Sequence, residues 1–477
     1  MERNLSFYTL FYVGSLVLMR FCGIITKIIL ARALTPFEYG VIILLVISLP
    51  AIFQLVTNCC LFDILGHASE GRRYFGFSLV YGTLATAAVG LVLFAFPVQI
   101  CTFLNIPADM WPFFFSTLLI VLLSITLSVD IMGLLRGKKN HSFAAAISAA
   151  PGLLRLILIF FAVAVFGIYD FDILFVIFAI PPLIVLLAAF IWKAKTIFGS
   201  IQTIQIPSRK IMVFGFSVYI IGIWITLCQN LNKIVISHDL GIEYQAFFDV
   251  SLTLAAVITF FSSALYLISV PESTGTTDKS LLLNRRGGLG DIGRLLFAMS
   301  MFCVLILIFY AKELIILLFS ADYAPAGDYI LLIAVGYVFI YIQQFIAYVN
   351  VSFYEKSTKP FVLITIVSLL VFPIFSHGMI EAFGFMGAYL AFIIILMIYC
   401  IATMYVSQDN EPLRVLFHKF SHLIVSCVAV FLMLFIGRFS LFTGILASSL
   451  LYAGILFVTG YLDISIIRDI VTRAKKE

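Results

Sequence analysis

Charge is what this chain has least of. Only 11% of its 477 residues are Asp, Glu, Lys or Arg, and 63% are apolar, whereas soluble domains are about 25% charged and about 45–50% apolar. Too few charged groups are present to cover a globule of this size in water, which excludes a soluble enzyme. Disorder is excluded too, because it requires low hydrophobicity and high charge. Local signatures of chemistry are equally scarce. No G-x-x-x-x-G-K-[ST] occurs, so ATP does not drive the chain from within. No C-x-x-C occurs among the eight cysteines, Cys22, Cys59, Cys60, Cys101, Cys228, Cys303, Cys400 and Cys427. Only Cys101 falls in an expected loop, so the cysteines read as small apolar fillers and neither disulfides nor a metal site is expected. The composition leaves an integral membrane protein with many spans and little mass outside the bilayer.

What is present is a series of long apolar runs, at 5–31, 39–64, 75–97, 110–135, 142–167 and 173–192, then 211–237, 244–270, 293–319, 327–351, 360–376 and 385–405, and finally 420–436 and 441–461. Each is long enough for a helix to cross a bilayer, which takes about 20 residues, whereas a spanning strand needs only about 9–11 of alternating polarity. The expected fold is therefore all-α with fourteen transmembrane helices. Arg20 interrupts the N-terminal run and no small-residue cleavage site follows, so that run reads as the first span and not a signal peptide.

The basic residues orient these spans. With a cytoplasmic N-terminus, 22 of the 29 Lys and Arg lie in the tails and even-numbered loops, and only Arg32, Lys312 and Arg438 lie in outer loops. That asymmetry, sustained across the chain, predicts two cytoplasmic termini. Both larger loops, 193–210 and 271–294, are then inside. The longest outer loop is 97–110, short for a membrane polymerase or glycosyltransferase, which would need room outside for acceptor and catalytic groups.

The spans fall into a repeat. Lys27-Ile-Ile-Leu-Ala-Arg-Ala-Leu34 precedes Glu38-Tyr39, and Lys233-Ile-Val-Ile-Ser-His-Asp-Leu240 precedes Glu243-Tyr244. Both copies end the first helix of a six-span set, which predicts a duplicated architecture with halves of the same orientation. The expected organisation is a bundle at 1–195, a cytoplasmic linker at 196–210, a second bundle at 211–406, and a last helix pair with a tail at 407–477.

Four basic residues remain inside spans. A charge at mid-bilayer costs at least about 2.5–3.5 kcal/mol, so it is kept where it faces a cavity or a partner. Arg20 and Arg155 lie near the middle of the first and fifth spans, too deep to reach headgroups easily. Lys27 and Lys233 occupy equivalent repeat positions about one turn from the outer ends of their helices, where they either line a cavity or extend to the interface. The acidic counterparts are few. Asp130 lies well inside the fourth span and is expected to pair with an arginine; Asp249 lies near the outer end of the eighth. Gln54, Asn58, Gln229, Asn230, Asn232, Gln343 and Gln344 add uncharged polarity within spans and favour a hydrated cavity between the halves. Two other patterns carry no chemistry. Gly288-Leu-Gly290-Asp-Ile-Gly293 has no preceding strand and falls in an expected loop, and His418 with His422 lacks the glutamate of H-E-x-x-H. Asn4, Asn140 and Asn350 begin glycosylation sequons, but all lie inside or within the membrane on this topology.

The first helix ending Lys27-Ile-Ile-Leu-Ala-Arg32-Ala-Leu34-Thr-Pro36, followed by Glu38-Tyr39-Gly40, resembles the opening of the polysaccharide-exporter branch of the multidrug/oligosaccharidyl-lipid/polysaccharide (MOP) superfamily, which includes O-antigen flippases. The basic turn Arg136-Gly-Lys138-Lys139-Asn140 is also similar, with a weaker echo at Tyr354-Glu-Lys356-Ser-Thr-Lys359. Thr35 departs from the glycine more usual before the proline. The resemblance implies a non-enzymatic, cofactor-free flippase in the cytoplasmic membrane. It would carry a polyprenyl-pyrophosphate-linked glycan to the outer leaflet by alternating access, with polysaccharide-assembly enzymes and no nucleic acid as partners. Arg20, Arg155, Lys27 and Lys233 would line its cationic route, since arginine offers phosphate bidentate contacts. A lipid II flippase has the same span count and is the nearest rival. A MATE-like drug antiporter would be expected to carry acidic groups in its cavity, and a membrane polymerase or glycosyltransferase is the alternative from another class.

Overall fold

The computed structural model describes residues 2–58, 74–138, 140–201, 205–273, 279–350, 358–407, 419–437, 439–459 and 461. These residues are helical, without strands among them. In chain order the long helices are α1 (Glu2–Ala33), α2 (Pro36–Thr57), α3 (Phe75–Ala95), α4 (Trp111–Gly137), α5 (His141–Phe160), α6 (Phe171–Phe198) and α7 (Arg209–Asp239). They continue with α8 (Ile242–Ser273), α9 (Lys279–Leu318), α10 (Ile330–Asn350), α11 (Thr358–Phe383), α12 (Phe385–Ser407), α13 (Phe420–Gly437) and α14 (Leu441–Val458).

Among the described residues twelve helices are long and apolar enough to cross a membrane, and each falls on one of the expected spans. The other two expected spans, 5–31 and 244–270, are occupied by α1 and α8. Leu91, Ile191, Ile374, Phe435 and Leu450 are all more than two-thirds exposed or nearly so. In a chain with so little charge, such side chains form the surface that lipid covers. The molecule is a multi-pass helical membrane protein.

Several boundaries differ from the expected ones. α2 ends at Thr57 rather than at 64, and 59–64 lies outside the described residues. The loop expected at 271–294 is helical from Lys279, so the glycines at 288, 290 and 293 lie in α9 and form no phosphate-binding turn. α6 runs on to Phe198 through a kink at Lys193. The 97–110 loop contains a short helix, Pro97–Leu104, in which Cys101 is buried.

The chain forms two compact units. One comprises 10–249 with 365–391, and the other comprises 1–9, 250–364 and 392–477. In the first, α3 to α6 enclose an apolar core that includes Phe75, Ile131, Leu135, Val185 and Ile197. α7 is joined there to α11 and α12 by buried polar groups. Trp224 Nε1 donates to Ser368 Oγ at 2.6 Å, Ser376 Oγ donates to Asn232 Oδ1 at 2.6 Å, and Asn232 Nδ2 donates to the Ala388 carbonyl at 3.1 Å. Such bonds hold transmembrane helices together where apolar burial adds little driving force. In the second unit, tyrosines play the same part. Tyr341 donates to the Gly293 carbonyl and Tyr452 to the Ala298 carbonyl, each at 2.8 Å, across a core containing Phe297, Leu305, Val430 and Leu456.

Two sets of contacts in the first unit place loop ends on common sides. Asn105, left-handed at φ 54°, donates from Nδ2 to the Ser237 and His238 carbonyls at 2.6 Å and 3.0 Å, and Ser237 Oγ donates to the Leu104 carbonyl at 2.7 Å. The loop after α3 thus caps the C-terminus of α7. At the other end of α4, Lys138 donates to the Thr196 carbonyl and Ser200 Oγ at 3.2 Å and 2.7 Å, which satisfies one carbonyl in the last turn of α6. Both groupings match the alternation read from the basic residues. Burial raises the Cys101 thiol pKa, so the native chain should label poorly at this loop. With Ala108→Cys and Ser208→Cys introduced singly, an impermeant maleimide applied to intact cells is expected to label position 108 and spare 208. Labelling of 208 alone would reverse the orientation.

Candidate functional site

The Thr-Pro turn between α1 and α2 organises the site. Thr35 accepts from the Glu38 amide at 3.4 Å while its own amide donates to Glu38 Oε2 at 3.0 Å, a reciprocal capping box with Pro36 at the first helical position. Thr35, the departure from the more usual glycine, therefore supplies a cap that glycine lacks. The cap fixes the first turn of α2 and directs Tyr39 inward, where it is fully buried. The next residue, Gly40, packs against the start of α8. A Cβ at Gly40 would lie 2.7 Å from the Ile242 carbonyl oxygen and 3.2 Å from Gln245 Oε1, so only glycine permits this approach.

That approach delivers Tyr39 to Asp249. The Tyr39 hydroxyl donates to Asp249 Oδ2 at 2.7 Å. Lys27 on α1 reaches both carboxylate oxygens at 3.0 Å and 2.9 Å, and Lys233 on α7 lies 2.6 Å from Oδ1. Asn230, one turn before Lys233, accepts from its Nζ at 3.5 Å. The Asp249 side chain is completely buried, and those of Lys233 and Lys27 are 5% and 18% exposed. Neither lysine extends to the interface. Both turn inward onto one carboxylate, a group of three charges summing to +1. One turn earlier on α8, Gln245 is fully buried, and among the described residues neither its amide nitrogen nor its oxygen has a hydrogen-bond partner.

The other sequence candidates are placed separately. Asp130 does not pair with an arginine. Its Oδ1 accepts from the Ser78 hydroxyl, and its buried Oδ2 has no partner among the described residues. The reason is local: position 130 on α4 faces α3, where Ser78 and Gly82 leave room for the carboxyl group, and a Cβ on Gly82 would come 3.6 Å from Oδ2. Arg155 instead donates from Nε to the Phe178 carbonyl at 2.8 Å, with its guanidinium 4.1 Å from the Phe178 ring centroid. Arg20 is exposed on α1. The stretches bearing these two arginines run side by side, since a Cβ on Gly152 would meet the Met19 side chain at 3.3 Å. Gln54 accepts at its carbonyl from the Tyr219 hydroxyl at 3.2 Å, Asn58 is buried with no partner for Oδ1 among the described residues, and Gln229 is half-buried on α7. Asn230 also donates to the Thr226 carbonyl at 2.7 Å.

Sequence reasoning thus found the lysines but did not select Tyr39, Gln245 or Ser78, and left Asp249 without a role. The repeat held the signal for one of them: Tyr39 is the tyrosine of the duplicated Glu-Tyr pair, and Asp249 stands five residues after its second copy.

Fold and site together define an all-helical, multi-pass membrane protein with charged groups paired inside its helices. The architecture is that of known transporters and flippases. The structure titled "Lipid II flippase MurJ, inward closed conformation" matches over 96% of this chain and 99% of its own, with a TM-score of 0.63 and 14% identity. A multidrug resistance MATE family transporter of the MOP superfamily matches in its inward-facing conformation over 84% and 96%, with a TM-score of 0.57 and 12% identity. Its outward-facing form matches over 84% and 95%, with a TM-score of 0.53 and 12% identity. No family model and no curated protein matches by sequence. At such identities the likeness establishes the fold.

The two buried carboxyl groups should respond differently to neutralisation. Asp249→Asn leaves two lysines without their shared carboxylate and is expected to cost about 3–5 kcal/mol. Asp130→Asn keeps a partner for Ser78 and should stay within about 1 kcal/mol. Unfolding in detergent measures both, and equal losses would mean that Asp130 also neutralises a charge.

Proposed function

We propose that this chain is a flippase that moves a polyprenyl-pyrophosphate-linked oligosaccharide from the cytoplasmic to the outer leaflet of the cytoplasmic membrane by alternating access. The observation that carries this reading is the retention of basic groups inside membrane-spanning helices in arrangements suited to an anion. Arg155 is held by its Nε, while among the described residues its two terminal nitrogens have no hydrogen-bond partner. That leaves the fork of the guanidinium directed by the protein and available for a phosphate. Arg20 stands on the adjoining stretch of α1. Lys27 and Lys233 hold a third cationic centre, where an anionic headgroup would be attracted while its lipid tail remains in the bilayer.

The resemblance read from the first helix supports the same conclusion. So does the extent of the structural likeness, which covers 96% of the chain for the flippase and 84% for the multidrug transporter. The difference is about the share that a final helix pair would add. Rocking of the two six-helix sets, 1–195 and 211–406, would exchange access between leaflets, and polysaccharide-assembly enzymes would supply and consume the lipid-linked glycan. A lipid II-type precursor is the second reading, favoured by that same coverage.

Reconstitution tests both. The protein in liposomes containing a fluorescent polyprenyl-pyrophosphate oligosaccharide, or lipid II in a parallel sample, is expected to expose the glycan at the opposite leaflet. Arg20→Ala and Arg155→Ala should each reduce the rate to background with insertion intact, and Lys27→Met or Lys233→Met should reduce it partially. Normal rates in both arginine variants would refute the cationic route. Extension of the glycan by the protein alone would establish a polymerase instead.

A further inference from the structure

The positions related by the internal repeat meet in pairs at the buried site. Lys27 and Lys233 are equivalent, and both bind Asp249. Gly40 and Gln245 are equivalent under the Glu-Tyr alignment, and they touch. Asp249 breaks the pattern: its own counterpart is Leu44, which is fully buried. The cations are thus duplicated and the anion is not. A pair of symmetric ammonium groups forms a cradle for one anionic group, and Asp249 sits in it.

We propose that Asp249 is a resident stand-in for the anionic group of the transported molecule, and that this group displaces it from Lys27 and Lys233 during transport. This rests on the flippase reading for the identity of the ligand, an oxyanion from either the pyrophosphate or a sugar carboxylate of a lipid-linked glycan. Three features of the site support the exchange. The three charges sum to +1, so the lysines retain attraction for a further anion. Lys27 is the most exposed member at 18%, which gives an incoming group an edge from which to enter. Gln245, buried and unpartnered one turn from Asp249, offers a donor to the displaced carboxylate or to its replacement. A carboxylate tethered this close competes at high effective concentration, so in the native chain it suppresses binding of free anions.

The test uses the purified full-length protein with sodium pyrophosphate and sodium glucuronate as probes at constant ionic strength. Asp249→Asn is expected to bind at least one probe tenfold or more tightly than the native chain, and that probe should raise its unfolding midpoint. The responding probe identifies the source, phosphate or sugar carboxylate. The gain should vanish in the Lys233→Met/Asp249→Asn double variant. If Asp249→Asn does not fold, Tyr39→Phe, which removes one bond to the carboxylate, should bind two- to threefold more tightly. No gain for either probe in a folded variant would overturn the proposal, as would a gain that persists without Lys233. A gain in anion binding by a protein that fails to translocate lipid-linked glycan would refute the flippase reading and leave the displaceable carboxylate standing.

Discussion

Two ammonium groups on one buried carboxylate are the arrangement around which the rest of the first unit is organised. An isolated charge inside a membrane-spanning helix is expensive, and three of them are tolerable only when brought within hydrogen-bond distance. That requirement explains local details which otherwise look unrelated. The capping box of Thr35 and Glu38 fixes the first turn of α2, the absence of a side chain at Gly40 lets that turn reach α8, and Tyr39 is thereby brought to Asp249. α7, which carries Lys233, is fixed at its C-terminus by Asn105 and along its length by Ser376 and Ser368. Each contact limits how far a lysine can move from its carboxylate.

The legible part of the fold was the part governed by hydrocarbon thickness. Long apolar runs marked the twelve helices long and apolar enough to cross a membrane among the described residues, and alternating basic residues grouped loop ends that the structure brings together, as with Lys138 at the end of α6. Boundaries were less legible because local chemistry moves them. The glycine-rich segment before Arg294 reads as a loop by composition yet continues α9, since a helix outside the apolar run needs no hydrophobicity to persist. Thr35 looked like an atypical turn residue when its role was to cap the following helix.

Within the site, spacing revealed the cations and concealed their partner. Lys27 and Lys233 stood out because the repeat placed them in register, whereas Asp249 lies outside the matched segment and meets them only through packing of α1, α7 and α8. Asp130 illustrates the reverse error. A lone carboxyl group deep in a span suggests an ion pair, but a hydroxyl one helix away occupies the position that such a partner would need. Identity and depth in a span are properties of one residue; pairing depends on which helix it faces.

The two carboxyl groups therefore play unequal parts. Asp130 is bonded by a hydroxyl on the neighbouring helix α3, a neutral donor. Asp249 binds Lys27 on α1 and Lys233 on α7, so its bonds tie three helices together within one unit. A neutral hydrogen bond between helices contributes modestly, whereas buried ion pairs are lost at high cost unless each charge finds a new partner. Any movement that separates Lys27 from Lys233 therefore takes the shared carboxylate from one of the two ammonium groups.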